Sequence, residues 1–488
     1  MKKLLFAVLV LFPVLLFAQA EKSAKALKVM NEISGASIME YDKELCLPKY
    51  AGRLTGTKEY DMSAEWTISL LKKWGVKPAG DNGTYLQKFK NPYTLVLDAG
   101  EVTLTNPAGS KNPRRYRYQE EYYPDATSDK GSITAEVVYV GYGITAPELG
   151  YDDYKDVDVK GKIVLFNPEI PVSPNQDAET FKKWRPYSFH DYKAKNAAAH
   201  GAAGILFNYH LANPNNVFIS GLIKADIGDK ITGDILEGTG KNINDLLAEI
   251  RKNKKPASFS TGKIVTIKIN TEHHPEGIGS NVVGILKGTD PKLKDEYLII
   301  GAHLDHLGMC HLMMPGANDN ASACAVLLET AKAFNRLKEG FKRSIIFVLF
   351  GAEEQGVKGS EFYVANLKIP KEKIAGFINL ESVGRGESIS AGSGKDFPKF
   401  YETFDKNNQK YVKRNMTASS NPNIARPRQD AAHFLWAGIP TISFGVYGSP
   451  ALPYPTYHTT YDVPENLTPP VMEDLAKIVF LAAIDLCN

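Results

Sequence analysis

Histidine and carboxylate side chains follow predicted strand ends in the last third of this chain. His303 lies just after a predicted strand over residues 296–300, and Glu381 directly follows a predicted strand over residues 374–380. His458 offers a second imidazole nearer the C-terminus. Because open α/β sheets place their sites outside the carboxyl ends of the strands, we expect these side chains to meet at one edge of a sheet.

Two adjacent glutamates, Glu353 and Glu354, follow another predicted strand over residues 344–350. Adjacent side chains cannot both point at the same atom. We therefore assign Glu354 as a metal ligand and Glu353 as the general base that holds a water molecule and takes its proton. A glutamate pair alone is a weak signal, since such pairs are usually solvent-exposed, and its value comes from the neighbouring histidines and carboxylates.

Two aspartates complete the candidate set. Asp305 lies two residues after His303 on the same side of the chain. A metal-bound histidine usually donates its second ring N–H to a carboxylate, so Asp305 is the predicted orienting partner. Asp319 lies in a polar turn before a predicted helix over residues 321–337, where its two oxygens can bridge two metal ions. The alternative role for Asp319 is to cap that helix, a task that Asn320 fills equally well.

The chemistry of this set favours zinc. Two imidazoles and three carboxylates suit a pair of zinc ions a few Å apart, each with an open position for water or substrate. All-oxygen calcium chemistry fits less well because of the histidines. The predicted metal ligands are His303, Asp319, Glu354, Glu381 and His458.

Strands and helices alternate from about residue 277 onward, which predicts an α/β sheet covered by helices. Ahead of this region, residues 135–142 and 162–166 have the pattern of short β-rich pieces, and a helix is predicted over residues 63–74. A chain of 488 residues has room for an enzyme domain and an accessory domain.

The first 20 residues have the layout of a secretory signal peptide. Two lysines precede an apolar run over residues 4–17, and a small-residue stretch ends at Ala20. The alternative is a membrane anchor, but the run is shorter than the roughly 18 to 20 residues that a span needs. We expect cleavage after Ala20, a periplasmic or secreted protein, and no membrane span in the mature chain.

Composition argues against a nucleic-acid partner and does not decide whether the cysteines form disulfides. A net charge of +3 over 488 residues, without a basic stripe, gives no basis for nucleic-acid binding. The four cysteines are few for a disulfide scaffold. Cys310 and Cys324 flank the predicted metal loop and are the candidate disulfide pair, with two buried thiols as the alternative.

The metal-site segments resemble, in identity and order, the co-catalytic zinc aminopeptidases related to vacuolar aminopeptidase Y and, more distantly, to glutamate carboxypeptidase. The similarity covers nearly all of the mature chain and includes residues 52–57 and 77–81 near its start. It implies the zinc exopeptidase fold, with a mixed, mostly parallel sheet between layers of helices. It also implies two zinc ions, peptide substrates, and hydrolysis of N-terminal peptide bonds by metal-activated water with Glu353 as general base. Tyr457 is the candidate for oxyanion stabilisation, with packing beside His458 as the alternative.

Residues 139–143, 158–162 and 201–204 look like parts of a protease-associated domain inserted in the peptidase. We therefore divide the chain into a signal peptide over 1–20, an N-terminal part of the peptidase domain over 21–130, a protease-associated insertion over 131–275 and a zinc peptidase domain over 276–488.

One ligand departs from that family's pattern. The acidic residue after Asn379-Leu380 is usually aspartate in the family and is Glu381 here. The extra methylene moves the carboxylate outward by about 1.5 Å. Glu381 therefore either still binds metal or leaves the second zinc ion weakly held.

Three alternative functions remain open. A glutaminyl cyclase would hold a single zinc ion at this site. A catalytically inactive binding protein of the same fold would tend to lose the candidate residues, which are intact here. A carboxypeptidase would need a basic pocket for the terminal carboxylate of its substrate, and three arginines are available for it: Arg385, Arg426 and Arg428.

Overall fold

A computed structural model describes residues 22–173, 177–337, 340–420, 428–448 and 456–488 of the chain. The predicted signal peptide and Arg426 lie outside these ranges. Within them, every helix is too short or too polar to cross a membrane.

The larger of the two main sheets has nine strands. Four parallel strands form its centre, in the spatial order Ser344–Phe350, Tyr297–His303, Ile374–Leu380 and Thr441–Tyr447. An antiparallel strand flanks this centre on each side, Ile278–Leu286 beside Ser344–Phe350 and Ser388–Gly392 beside Thr441–Tyr447. The remaining strands are Lys77–Pro78, Leu86–Lys90 and Met416–Ala418.

Helices cover both faces of this sheet. Every residue of Tyr297–His303 and Ser344–Phe350 is buried, as expected for parallel strands packed on two sides. Leu298 and Ile300 belong to one core with the helices Ser322–Arg336 and Pro469–Cys487, whereas Ile299 packs in another core with residues of two shorter helices. The other helices associated with the sheet are Ala24–Asn31, Gly35–Leu45, Lys58–Lys73, Lys358–Ala365, Pro398–Asn407 and Ala431–Trp436.

The second main sheet has eight strands and its own hydrophobic core. Its strands are, in spatial order, Arg114–Arg115, Glu101–Leu104, Phe259–Ile269, Gly131–Tyr139, Ile163–Phe166, Gly204–Phe207, Ile223–Ile227 and Tyr122–Pro124. Four helices accompany it: Ala178–Trp184, His190–Ala199, Asp229–Leu236 and Ile243–Asn253. Three of the eight strands precede residue 131. The domain boundaries given above stay predictions.

Two small sheets complete the described fold. One has four strands, Thr271–His274, Tyr93–Val96, Met309–Cys310 and Leu312–Met313, and the other pairs Thr145–Ala146 with Tyr151–Asp152.

The predicted α/β class with a β-rich insertion is confirmed. The helix predicted over residues 63–74 is observed as the longer helix Lys58–Lys73. Gly75 follows it with a φ of +74°, which favours glycine at a helix end. Of the two alternatives for Cys310 and Cys324, the structure shows buried thiols and not a disulfide, because all four cysteines are buried and free. Cys324 donates its S–H to the carbonyl oxygen of His303, which gives this thiol a partner inside the core.

Candidate metal centre

The first group of candidate ligands surrounds the fully buried ring of His303, the last residue of its strand. Its Nε2 lies 3.2 Å from Glu381 Oε1 and 3.3 Å from Asp319 Oδ1. Glu381 directly follows the neighbouring parallel strand, so both side chains leave the sheet at the same edge. The methylene that distinguishes Glu381 from aspartate does not keep its carboxylate away from the cluster.

The second group surrounds His458. Its Nε2 lies 3.1 Å from Glu354 Oε2 and 3.3 Å from Asp319 Oδ2. Asp319 therefore presents one carboxylate oxygen to each imidazole, which is the arrangement that a carboxylate bridging two metal ions requires. The other four predicted ligands converge on Asp319.

The loop that carries Asp319 is held from the C-terminal side of the chain. Asp462 accepts the backbone N–H of Asn318 at 2.9 Å and that of Asp319 at 3.0 Å. The peptide bond between Asp319 and Asn320 is cis. The helix Ser322–Arg336 begins without a side-chain cap, so Asp319 does not serve as its cap.

Several polar atoms of the cluster are buried, and among the described residues they have no hydrogen-bond partner. They are His306 Nε2, His458 Nε2, Asp319 Oδ1 and Glu381 Oε2. Burying polar atoms without hydrogen-bond partners is costly. A buried cluster of charged side chains is stable only when its charges are compensated. Divalent cations between these nitrogen and oxygen atoms would satisfy them, so the residues fit the zinc ions that the sequence predicts.

The carboxylate of Asp305 does not make the predicted hydrogen bond to His303. The carbonyl oxygen of Asp305 lies 3.1 Å from His303 Nδ1, whereas its carboxylate Oδ1 lies 3.6 Å away, beyond hydrogen-bond range. The carboxylate instead accepts the backbone N–H groups of Glu353 at 3.1 Å and Glu354 at 3.3 Å. These groups lie just past the end of their strand and need an acceptor. Asp305 thus positions the glutamate pair with its side chain and His303 with its backbone.

The two adjacent glutamates occupy different electrostatic environments. Burial and the carboxylates of Glu381 and Glu354 raise the pKa of Glu353 well above its ordinary value. Burial also acts to raise the pKa of Glu354, but the imidazoles of His458 and His306 outweigh it and lower that pKa to about 2. Glu354 is therefore held as a carboxylate, while Glu353 is the group of the pair that favours a proton.

His306 is a residue of the site that the sequence reasoning missed. Its Nδ1 lies 2.7 Å from Glu354 Oε1, and its ring is fully buried. The other oxygen of Glu354, Oε2, faces His458. The sequence does place His306 only three residues after the predicted ligand His303. That spacing does not reveal which carboxylate the ring of His306 contacts.

A cavity of about 170 Å³ opens beside the cluster. Glu353, Glu354, Tyr457 and His458 line it, and the ring of Tyr457 stacks on that of His458 at a centroid distance of 3.8 Å. The remaining lining residues are Glu169, His190, Tyr209, Asn213, Asn215, Val357 and Arg428. Five of these come from the polypeptide of the second sheet, so the cavity lies between the two main parts of the fold.

Two segments of the chain match models of known protein families. Residues 281–483 match the model of Peptidase family M28, and residues 133–231 match the model of the PA domain. An aminopeptidase of Pseudomonas aeruginosa is 26% identical over 355 residues, which are 71% of this chain and 57% of that protein. Aminopeptidase YwaD of Bacillus subtilis is 26% identical over 357 residues, 70% of this chain and 67% of that protein. The chain thus aligns with little more than half of the Pseudomonas relative.

Solved structures show the same fold. The aminopeptidase from Aneurinibacillus sp. strain AM-1 superposes with a TM-score of 0.65 at 21% identity, covering 94% of this chain and 95% of that one. BSAP, a zinc aminopeptidase from Bacillus subtilis, superposes with a TM-score of 0.62 at 20% identity, covering 93% and 95%. The matched peptidase segment contains all five predicted ligands and Glu353, and the PA segment contains part of the cavity wall. Residues 281–483 therefore resemble peptidase family M28, and residues 133–231 resemble a PA domain.

Proposed function

We propose that this protein is an exported zinc-dependent exopeptidase, an aminopeptidase that hydrolyses N-terminal peptide bonds. The observation that carries the proposal is the convergence of two imidazoles and two carboxylates on the carboxylate of Asp319, beside a cavity lined by Glu353. His303, Asp319 and Glu381 would hold one zinc ion, and His458, Asp319 and Glu354 would hold a second. Relatives named aminopeptidases support the activity.

In the mechanism, bound zinc supplies a Lewis acid that acidifies water and polarises the substrate carbonyl. Glu353 lies at the cavity wall with only 8% of its surface exposed and holds the proton that the attacking water loses. Glu353 then gives this proton to the leaving amine. Tyr457, whose ring is fixed against His458, is the proposed oxyanion donor.

Two of the arginines that a carboxypeptidase pocket could use are already engaged with other residues. Arg428 lines the cavity together with Glu169. Arg428 donates to Glu169 at 3.0 Å, and Arg385 donates to Thr456 at 2.7 Å. Both arginines thus already have partners, which weighs against a carboxypeptidase pocket built on them.

A substrate panel tests the proposed reaction. We expect hydrolysis of aminoacyl chromogenic substrates with a free amine, and little hydrolysis of the same compounds after N-acetylation or of substrates that report carboxypeptidase action. Cyclisation of N-terminal glutamine, with one zinc ion per chain, would point to a glutaminyl cyclase. Metal binding without turnover of any of these substrates would indicate a binding protein.

Export rests on the layout of the first 20 residues, in which an apolar run follows two lysines and ends in small residues. N-terminal sequencing of protein secreted by the native cells tests it, with Glu21 as the expected first residue.

The contact of His306 with Glu354 leads to a prediction about metal affinity. Substituting His306→Leu removes the donor that holds Glu354 Oε1, so we expect zinc affinity to fall about 10- to 100-fold. His306→Asn is the matched control, because its side-chain N–H₂ can take the place of Nδ1 and should retain most of the affinity. Equal losses in both variants would indicate instead that His306 itself binds metal, and no loss in either would contradict the positioning role.

Glu381 gives a second prediction about metal binding. Its Oε1 lies 3.2 Å from His303 Nε2, so Glu381→Asp withdraws the carboxylate by about 1.5 Å. We expect one of two zinc ions to bind at least about 10-fold more weakly. Glu381→Gln keeps the length and removes the charge, and competition titrations with a chromophoric chelator measure both variants. A Glu381→Asp protein that holds two ions as tightly as the wild type would show that the longer side chain is not needed.

A further inference from the structure

A backbone carbonyl from the PA domain contacts one of the candidate metal ligands. The Nδ1 atom of His458 lies 2.9 Å from the carbonyl oxygen of Ala212, which is 246 residues away in the sequence. A carbonyl oxygen can only accept a hydrogen bond, so Nδ1 carries the proton. In a neutral imidazole, Nε2 is then the unprotonated nitrogen, and this atom faces Asp319 and Glu354.

The peptide segment that supplies this carbonyl is the loop between the strands Gly204–Phe207 and Ile223–Ile227, which we call the 208–222 loop. Ala212 is 1% exposed and packs in a hydrophobic cluster with Leu307, Cys310 and Met314 of the peptidase domain. Ala212 is therefore buried between the two domains, and its carbonyl is fixed by packing on both sides.

The two imidazoles of the centre are held in different ways. His303 has its Nδ1 contact with a residue of its own domain, at 3.1 Å from the carbonyl oxygen of Asp305. His458 has no such contact from its own domain among the described residues, and its backbone adopts a positive φ of +56°, which is unfavourable for a non-glycine residue. One side of the centre is thus built entirely by the peptidase domain, and the other side is completed by the PA domain.

We propose that the 208–222 loop of the PA domain is a positioning element of the catalytic centre, which fixes the tautomer and orientation of His458 for metal binding. This inference rests on the proposed function, because it assigns a role toward the zinc ion bound by His458. The same loop also places Asn213 and Asn215 in the cavity wall with Glu353. The PA domain therefore acts in metal binding at this site as well as in enclosing it.

Substitutions at Ala212 test the proposal. Ala212→Leu overpacks the buried cluster and displaces the loop, and we expect it to weaken one zinc site about 10- to 100-fold and leave the other unchanged. Ala126→Leu is the matched control, because Ala126 lies in the same cluster but its carbonyl is not the one that contacts His458. Ala212→Ser, which adds a single oxygen, should bind both ions like the wild type. Zinc affinity is measured by competition with a chromophoric chelator. The melting temperature of each metal-free variant is the second measurement.

A milder pair of variants serves if Ala212→Leu fails to fold. Asn213 Oδ1 accepts the backbone N–H of Asn215 at 2.8 Å and shapes the turn after Ala212. Asn213→Ala removes this acceptor and Asn213→Asp keeps it, so only Asn213→Ala should weaken the same zinc site.

The outcomes separate the two proposals. Wild-type zinc affinities in both Ala212→Leu and Asn213→Ala would overturn the role of the loop while leaving the zinc centre intact. Equal zinc losses in Ala212→Leu and Ala126→Leu, with equal losses of melting temperature, would also overturn it, since the effect would then be one of interface stability. A wild-type protein that binds no zinc would overturn the proposed function, and this inference with it.

Discussion

Replacing Glu353 by Gln is expected to lower kcat by about 10²- to 10⁴-fold while the protein keeps its zinc. Glutamine has nearly the same size as glutamate but cannot take a proton from water. The ligand atoms of Glu354, Asp319 and the two histidines are untouched, because the backbone N–H of Glu353 would still donate to Asp305. Steady-state kinetics with an aminoacyl chromogenic substrate, together with metal analysis, measures both parts of the prediction.

A matched control for this variant is Glu169→Gln, which removes another carboxylate that lines the same cavity. Glu169 is half exposed and pairs with Arg428, so its loss should change KM more than kcat. Unchanged kcat in Glu353→Gln would remove Glu353 from the role of general base. Loss of zinc from that variant would mean that Glu353 is itself a ligand.

Replacing Asp319 by Ala is expected to abolish turnover and to weaken both zinc ions by more than about 100-fold. Among the residues that the structure describes, Asp319 is the one whose carboxylate oxygens face both His303 and His458. Its removal therefore affects both positions, whereas loss of Glu381 or Glu354 should affect mainly one. Zinc competition titrations and kcat measured at saturating zinc test this prediction.

Asp42→Asn provides the comparison for the Asp319 variant, because Asp42 is also fully buried but lies outside the candidate cluster. It should retain zinc binding even if it changes the free energy of unfolding. An Asp319→Ala protein that binds two zinc ions with unchanged affinity would contradict the bridging role.

The sequence predicted the ends of two central strands well, because buried strands have a strong apolar signal. Apolar runs such as Ser344–Phe350 and Ile374–Leu380 were predicted with their observed bounds, and the polar residues just after them lie at one sheet edge for a simple topological reason. The chemistry of each side chain, two imidazoles and three carboxylates, then indicates zinc.

Contacts made by the backbone could not be predicted in this way. Nothing about Ala212 as a residue type indicates a partner for a histidine 246 positions later, because every residue has a carbonyl group. Likewise, the sequence could not show that His303 Nδ1 contacts the backbone carbonyl of Asp305 and not its carboxylate. Arg53 is a related case. It is fully buried and donates to the carbonyl oxygens of Leu304, Pro315 and Gly316, which lie between the strand that ends at His303 and the turn that carries Asp319. Such contacts depend on the folded path of the chain.

Removal and return of zinc tests the central claim most directly. The wild-type protein is stripped with a chelator, assayed with an aminoacyl chromogenic substrate that has a free amine, and titrated with zinc. We expect the stripped protein to be inactive and its activity to return as up to two zinc ions bind per chain, while Asp319→Ala stays inactive throughout. Full activity in the stripped protein, or activity in Asp319→Ala equal to that of the wild type, would contradict the assignment of this cluster as a hydrolytic zinc centre.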